Sequence, residues 1–130
     1  MQQGMQWRSS ITRKEIDMAQ FVDILGTQYE VITQTEKENP KLKDANGLCE
    51  VYSKRIILDV SSKDDEMAFE NIDKFYSKVV RHEIVHAFFH EAGLDKYMDD
   101  ETLVDVIAIL MPKIYNAMKQ VDIVSLMKGN

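Results

Sequence analysis

From Ile72 to Glu91 the chain spells a helix that is apolar on nearly every side, yet the stripe that should pack the core turns ionisable. On a helical wheel Ile72, Phe75, Tyr76 and Val79 share one sector, and His82, Glu83, His86 and His90 continue it. Ile84, Val85, Ala87, Phe88 and Phe89 cover the other sides, the pattern of a buried helix. Gly93 follows where a helix C-terminus favours glycine. Burying two imidazoles and a carboxylate without partners costs about 1–3 kcal/mol per group or more. Something must therefore satisfy them.

The spacing names a candidate. Arg81-His82-Glu83-Ile84-Val85-His86 contains His-Glu-x-x-His. Four residues on a helix advance about 400° and about 6 Å, so His82 and His86 point the same way from neighbouring turns. Two imidazoles so placed can grip one Zn²⁺, with Glu83 on nearly the same face to accept a proton from an activated water. The rival reading is a solvated polar patch or a hydrogen-bonded histidine cluster.

A catalytic zinc site takes three protein ligands and keeps one position open. His90 and Glu101 compete for the third place. Ligands at i, i+4 and i+8 on a straight helix cannot converge well on one tetrahedral ion, so His90 is expected beyond the ligand set or in the core. Glu101 fits better. Asp99-Asp100 reads as a helix start, and the run from Glu101 to Leu110 is Leu-, Val- and Ile-rich except for Glu101, Asp105 and the small Ala108. Glu101 is expected to bind the metal, Asp105 to hold the imidazole of a ligating histidine, and Ala108 to let the two helices approach. Ordinary dipole chemistry at a helix N-terminus is the alternative for Glu101.

His-Glu-x-x-His followed by Glu-x-x-x-Asp resembles the gluzincin pattern shared with thermolysin-like peptidases. Fourteen residues separate His86 from Glu101, as in compact members. The run His82–His90 is similar to the ImmA/IrrE metallopeptidases and short phage-borne relatives, over about residues 76–110. That resemblance implies zinc on His82, His86 and Glu101, Glu83 as general base, and a protein or peptide substrate such as a repressor or regulator.

The remaining chain bounds the setting. With 130 residues it suits one domain with a real core. A net charge of −6 and no Lys/Arg cluster argue against nucleic-acid binding. The single cysteine, Cys49, allows no internal disulfide and reads as a packing residue. No apolar run spans a membrane and no signal-peptide core opens the chain, so a cytoplasmic protein is expected.

The fold class expected is α+β: a small antiparallel β-sheet packed on a zincin-like His-Glu-x-x-His helix, with a second helix carrying the third ligand. Strands are expected near residues 21–25, 29–33, 48–52 and 55–60, with a polar loop over 35–46. Pro112 is expected to kink or end the second helix, leaving a short helix near 113–118. Residues 1–10 are expected to be disordered, and 12–20 to form a helix. The Arg55–Val60 strand or its hairpin partner would bind substrate as an added strand. Tyr76, His90 and Tyr97 are candidate donors to a developing oxyanion.

Two functions from different classes follow. One is a zinc-dependent endopeptidase with Glu83 as its base. The other is a zinc-stabilised protein-interaction module of phage or mobile-element origin that cleaves nothing.

Overall fold

The computed structural model describes residues 19–61 and 71–129. The segment 1–10, most of the helix expected over 12–20, and the stretch leading into the long helix lie outside them; Gln20 opens a strand. Four strands come first: β1 (Gln20–Ile24), β2 (Thr27–Gln34), β3 (Gly47–Glu50) and β4 (Arg55–Asp59). Four α-helices follow: α1 (Ile72–Glu91), α2 (Asp95–Met98), α3 (Glu101–Lys119) and α4 (Ile123–Lys128). A 3-10 helix, Pro40–Asp44, lies in the expected polar loop, capped by the Asn39 side chain.

The α+β class holds, but the sheet is mixed rather than antiparallel. Its order is β1-β2-β4-β3, with β2 parallel to β4 and the other pairs antiparallel. The reason lies in β4. Ile56, Ile57 and Leu58 are all buried, so both faces of this strand are covered. A continuous apolar run of that kind belongs in the sheet interior, between two neighbours. The half-buried β3 takes the edge instead. Placing β4 inside reverses the meander and makes its pairing with β2 parallel. Of the two strands expected to bind substrate, β4 is thus interior, and β3 has no second strand beside it among the described residues.

Helix α1 packs across this sheet. Val79 and Ala87 join Ile24, Tyr29, Ile56 and Leu58 in the core, each large aliphatic side chain contributing about 1.5–3 kcal/mol when fully buried. Asn71 caps its N-terminus by accepting from the Lys74 amide. At its far end the amides of Gly93 and Leu94 donate to the carbonyls of His90 and Phe89, and Gly93 has φ +76°. That is a Schellman motif, which glycine permits at no steric cost.

Two polar contacts fix the helix on the sheet. The Tyr76 hydroxyl donates to the Asp59 carbonyl at 2.7 Å, so this candidate oxyanion donor is committed elsewhere. At the other end the Glu91 carboxylate accepts from Thr27 Oγ1 (3.0 Å), the Tyr29 hydroxyl (2.7 Å) and Lys54 Nζ (2.7 Å). The helix is therefore held at both ends, with the motif residues between.

Helix α3 differs from expectation in two ways. It runs unbroken through Pro112 to Lys119, and the last short helix is α4. Only Val104 and Ala108 of α3 are buried, whereas Val106, Ile109, Leu110 and Met111 are exposed among the described residues. No helix of the described residues is long and apolar enough to cross a membrane.

The Glu91 cluster generates a pH prediction. Hydrogen bonds from Lys54, then Tyr29, hold its carboxyl down to about 2. An unfolded glutamate titrates at about 4.3, so the folded state gains from this group above that pH and loses the gain as pH falls toward about 2. Glu91→Gln is expected to lower the thermal midpoint at neutral pH, with the difference from wild type shrinking between about pH 4.5 and pH 2. Melting curves across that range check it; a constant difference down to pH 2 contradicts the assignment.

Candidate metal centre

His82 and His86 stand one turn apart on α1, and Glu101 opens α3. The Asp100 side chain caps α3 by accepting from the Leu103 amide, which sets where Glu101 begins. The contact between α1 and α3 then brings three donor atoms together. His82 Nε2 lies 2.9 Å from Glu101 Oε1, His86 Nε2 lies 3.3 Å from the same oxygen, and the two Nε2 atoms are 3.2 Å apart. His82, His86 and Glu101 form a group that can hold a metal ion.

The distances test that fit. Donors about 2.0–2.2 Å from a tetrahedral zinc are about 3.3–3.5 Å from one another. The observed edges of 2.9, 3.2 and 3.3 Å describe nearly such a triangle, slightly contracted. When protonated, both Nε2 atoms can donate to Glu101 Oε1; when deprotonated, they and the carboxylate oxygen present three lone pairs that one cation engages at once.

The far sides of the two rings differ. His82 Nδ1 is 3.4 Å from Asp105 Oδ1, so a carboxylate stands where it can orient this imidazole. His86 Nδ1 is buried and has no partner among the described residues. The His86 ring is therefore held chiefly by packing and by whatever its Nε2 meets.

Glu83 sits beside the group and is buried, at 6 % exposure. Burial pushes its carboxyl up to about 7; His82 opposes the shift and the Glu101 carboxylate adds to it. The side chain rests against β3 at Gly47. A Cβ on Gly47 would lie 2.8 Å from Val79 Cγ1 and 3.2 Å from both Cγ and Oε2 of Glu83. Glycine is what lets the strand pass this close.

An open cleft of about 620 Å³ runs along β3 and reaches His82, Glu83, His86 and Glu101. Cys49 lines it as well, but burial, then Glu83 and Glu91, push its thiol up to about 12, so it stays protonated. Its reading as a packing residue agrees with its contact to the core.

His90 is not brought into the group. Its Nδ1 lies 3.1 Å from Asp95, and its ring meets Tyr52 edge-on at 5.8 Å. Tyr97 stacks near Phe89 at 6.0 Å and does not line the cleft. None of the three candidate oxyanion donors thus faces the site. Sequence reasoning passed over Gly47 and Lys78, both on the cleft wall. Lys78 precedes His82 by four residues and shares its face, so the spacing carried the signal. Gly47 gave none, because its role depends on a neighbour distant in sequence.

Fold and site together define an α+β protein with a two-histidine, one-carboxylate group able to hold a metal ion. No family model, curated protein or solved structure matches the chain.

Two predictions follow from this geometry. Gly47→Ala is expected to destabilise the protein by about 1–3 kcal/mol, because Val79 is stiff and Glu83 is boxed in; denaturant unfolding reads this, and an unchanged midpoint contradicts it. Asp105→Asn is expected to weaken metal binding about 10- to 100-fold without abolishing it, as measured by chelator competition.

Proposed function

We propose that this chain is a zinc-dependent peptidase of the gluzincin type, related to the ImmA/IrrE metallopeptidases. The observation that carries the proposal is the near-tetrahedral triangle of His82 Nε2, His86 Nε2 and Glu101 Oε1 beside the buried Glu83. Two imidazoles and one carboxylate suit zinc, and three ligands leave a position for reactants. Zinc bound there supplies the Lewis acidity that activates water and polarises a carbonyl.

The chain's own residues supply the rest. Glu83 accepts the proton of the attacking water and delivers it to the leaving nitrogen. A base of this kind works best with a pKa near the operating pH, and burial moves Glu83 in that direction. Asp105, 3.4 Å from His82 Nδ1, favours the tautomer that carries its proton on Nδ1 and leaves the Nε2 lone pair for a metal. The side of β3 that pairs with no strand among the described residues borders the same cleft and offers backbone donors and acceptors to an extended peptide. A protein or peptide substrate matches that edge.

The interaction-module reading draws on one observation, the exposed apolar run of α3 and α4. Glu83 weighs against it, because a purely structural zinc site needs no buried carboxylate beside its ligands.

Elemental analysis is expected to find about one zinc per chain, strongly reduced in Glu101→Ala. Glu83→Gln is expected to retain zinc and lose about 10²–10⁴-fold in peptide hydrolysis. No zinc after reconstitution removes the metal site. Zinc that survives loss of Glu101 moves the third ligand elsewhere. Full activity in Glu83→Gln removes the base, and zinc without hydrolysis of any peptide pool favours the interaction module.

A further inference from the structure

Pro112 lies inside α3, where it should interrupt the helix, and the helix continues regardless. Proline has no amide hydrogen, so the carbonyl four residues earlier loses its usual donor. That carbonyl belongs to Ala108, and Arg81 Nε donates to it at 2.9 Å. Arg81 immediately precedes His82 on α1. Ala108 is fully buried against the neighbouring helix and small enough to let a side chain reach its backbone. Pro112 leaves that carbonyl without its helical donor, and the Arg81 guanidinium supplies one.

The contact occupies a particular place. Along the seam between α1 and α3 the cross-helix pairs run Arg81 to Ala108, His82 to Asp105, and His82 with His86 to Glu101. Each pair steps down α3 while stepping up α1. Ala108 follows Glu101 by about two turns, or about 10 Å of helix. A helix is stiff over that length, so fixing its rotation and height at Ala108 fixes where Glu101 arrives.

From this geometry we infer that Arg81 and Pro112 are positioning residues for the metal centre. Pro112 vacates the Ala108 carbonyl, Arg81 takes it, and the bond sets the register in which Glu101 and Asp105 meet the histidines. The inference rests on the metal reading proposed above.

The test is a double-variant cycle on the full chain: wild type, Arg81→Met, Pro112→Ala, the combination, and Arg81→Lys. Zinc affinity is read by chelator competition, Co²⁺ coordination by visible spectra, and apo-protein stability by thermal melting. Arg81→Met is expected to weaken zinc about tenfold, within the range for groups that orient ligands. Pro112→Ala is expected to do the same by a different route, since its new amide takes the Ala108 carbonyl and displaces Arg81. The combined variant is then no weaker than either single one. Arg81→Lys, which keeps a donor, recovers part of the loss. Pro112→Ala should meanwhile leave the apo-protein at least as stable, because alanine favours the helix. Looser zinc in an equally stable protein is what a merely structural role would not give.

The Arg81 Nε–H resonance reads the bond itself without metal: slow solvent exchange in wild type, fast in Pro112→Ala. Rapid exchange in wild type overturns the proposed bond. Single variants with wild-type zinc affinity, or losses that simply add, overturn the positioning role and leave the metal reading standing. A wild type that takes up neither zinc nor cobalt overturns both.

Discussion

Helix α1 turns its ionisable residues toward β3 and α3, and no arrangement within α1 can satisfy them. Three donors crowd within 3.3 Å of one another, and Glu83 is buried beside them. Glu101 is exposed at the cleft, but His86 and Glu83 are buried, and buried ionisable groups are unfavourable unless a charge or a well-placed proton balances them. Much of the architecture answers that demand. Tyr76 and Glu91 hold the helix at both ends, β3 passes close at Gly47, and α3 delivers two carboxylates to the same face. The site and the packing of α1 against its neighbours are one problem solved together.

The motif helix was legible because its signals are local. The His-x-x-x-His spacing, the apolar surround and Gly93 all lie within one periodic segment, and the structure places α1 at the expected residues. Glu101 and Asp105 were legible for a related reason. Two carboxylates on an otherwise apolar stretch stand out by period, and both reach the histidines in space. His90 stays outside the ligand set, as its spacing implies. It shares the stripe, but one further turn beyond His86 carries it past the convergence point and into contact with Asp95.

What the sequence hid was non-local. The strands were found, but their order was not, because the β3–β4 hairpin can enter the sheet from either side. The unbroken burial of Ile56, Ile57 and Leu58 shows both faces of β4 covered, the pattern usual for an interior strand with a parallel neighbour. Gly47 carried no periodic signal at all. In the chain it reads as part of an Asn-Gly turn, yet in space it opens β3 and gives Glu83 room. Pro112 does not end the helix, because its rule is local and its compensation is not: the lost helical hydrogen bond is replaced by Arg81, 27 residues away on another helix.

That replacement bears on why the site is built across two helices. A ligand set confined to α1 would have its geometry fixed by helical pitch, with no third donor in reach. Recruiting Glu101 supplies the donor but adds a degree of freedom, the slide and rotation of α3 against α1. Apolar contact alone controls this poorly, since α3 buries only Val104 and Ala108 and leaves most of its apolar side chains exposed among the described residues. Directional contacts have to do what packing does not. Of those along the seam, the ones that involve Glu101 and Asp105 belong to the group that can hold a metal ion. Among the described residues, the bond from Arg81 to the Ala108 carbonyl stands apart from that group and ties α3 to α1 without it.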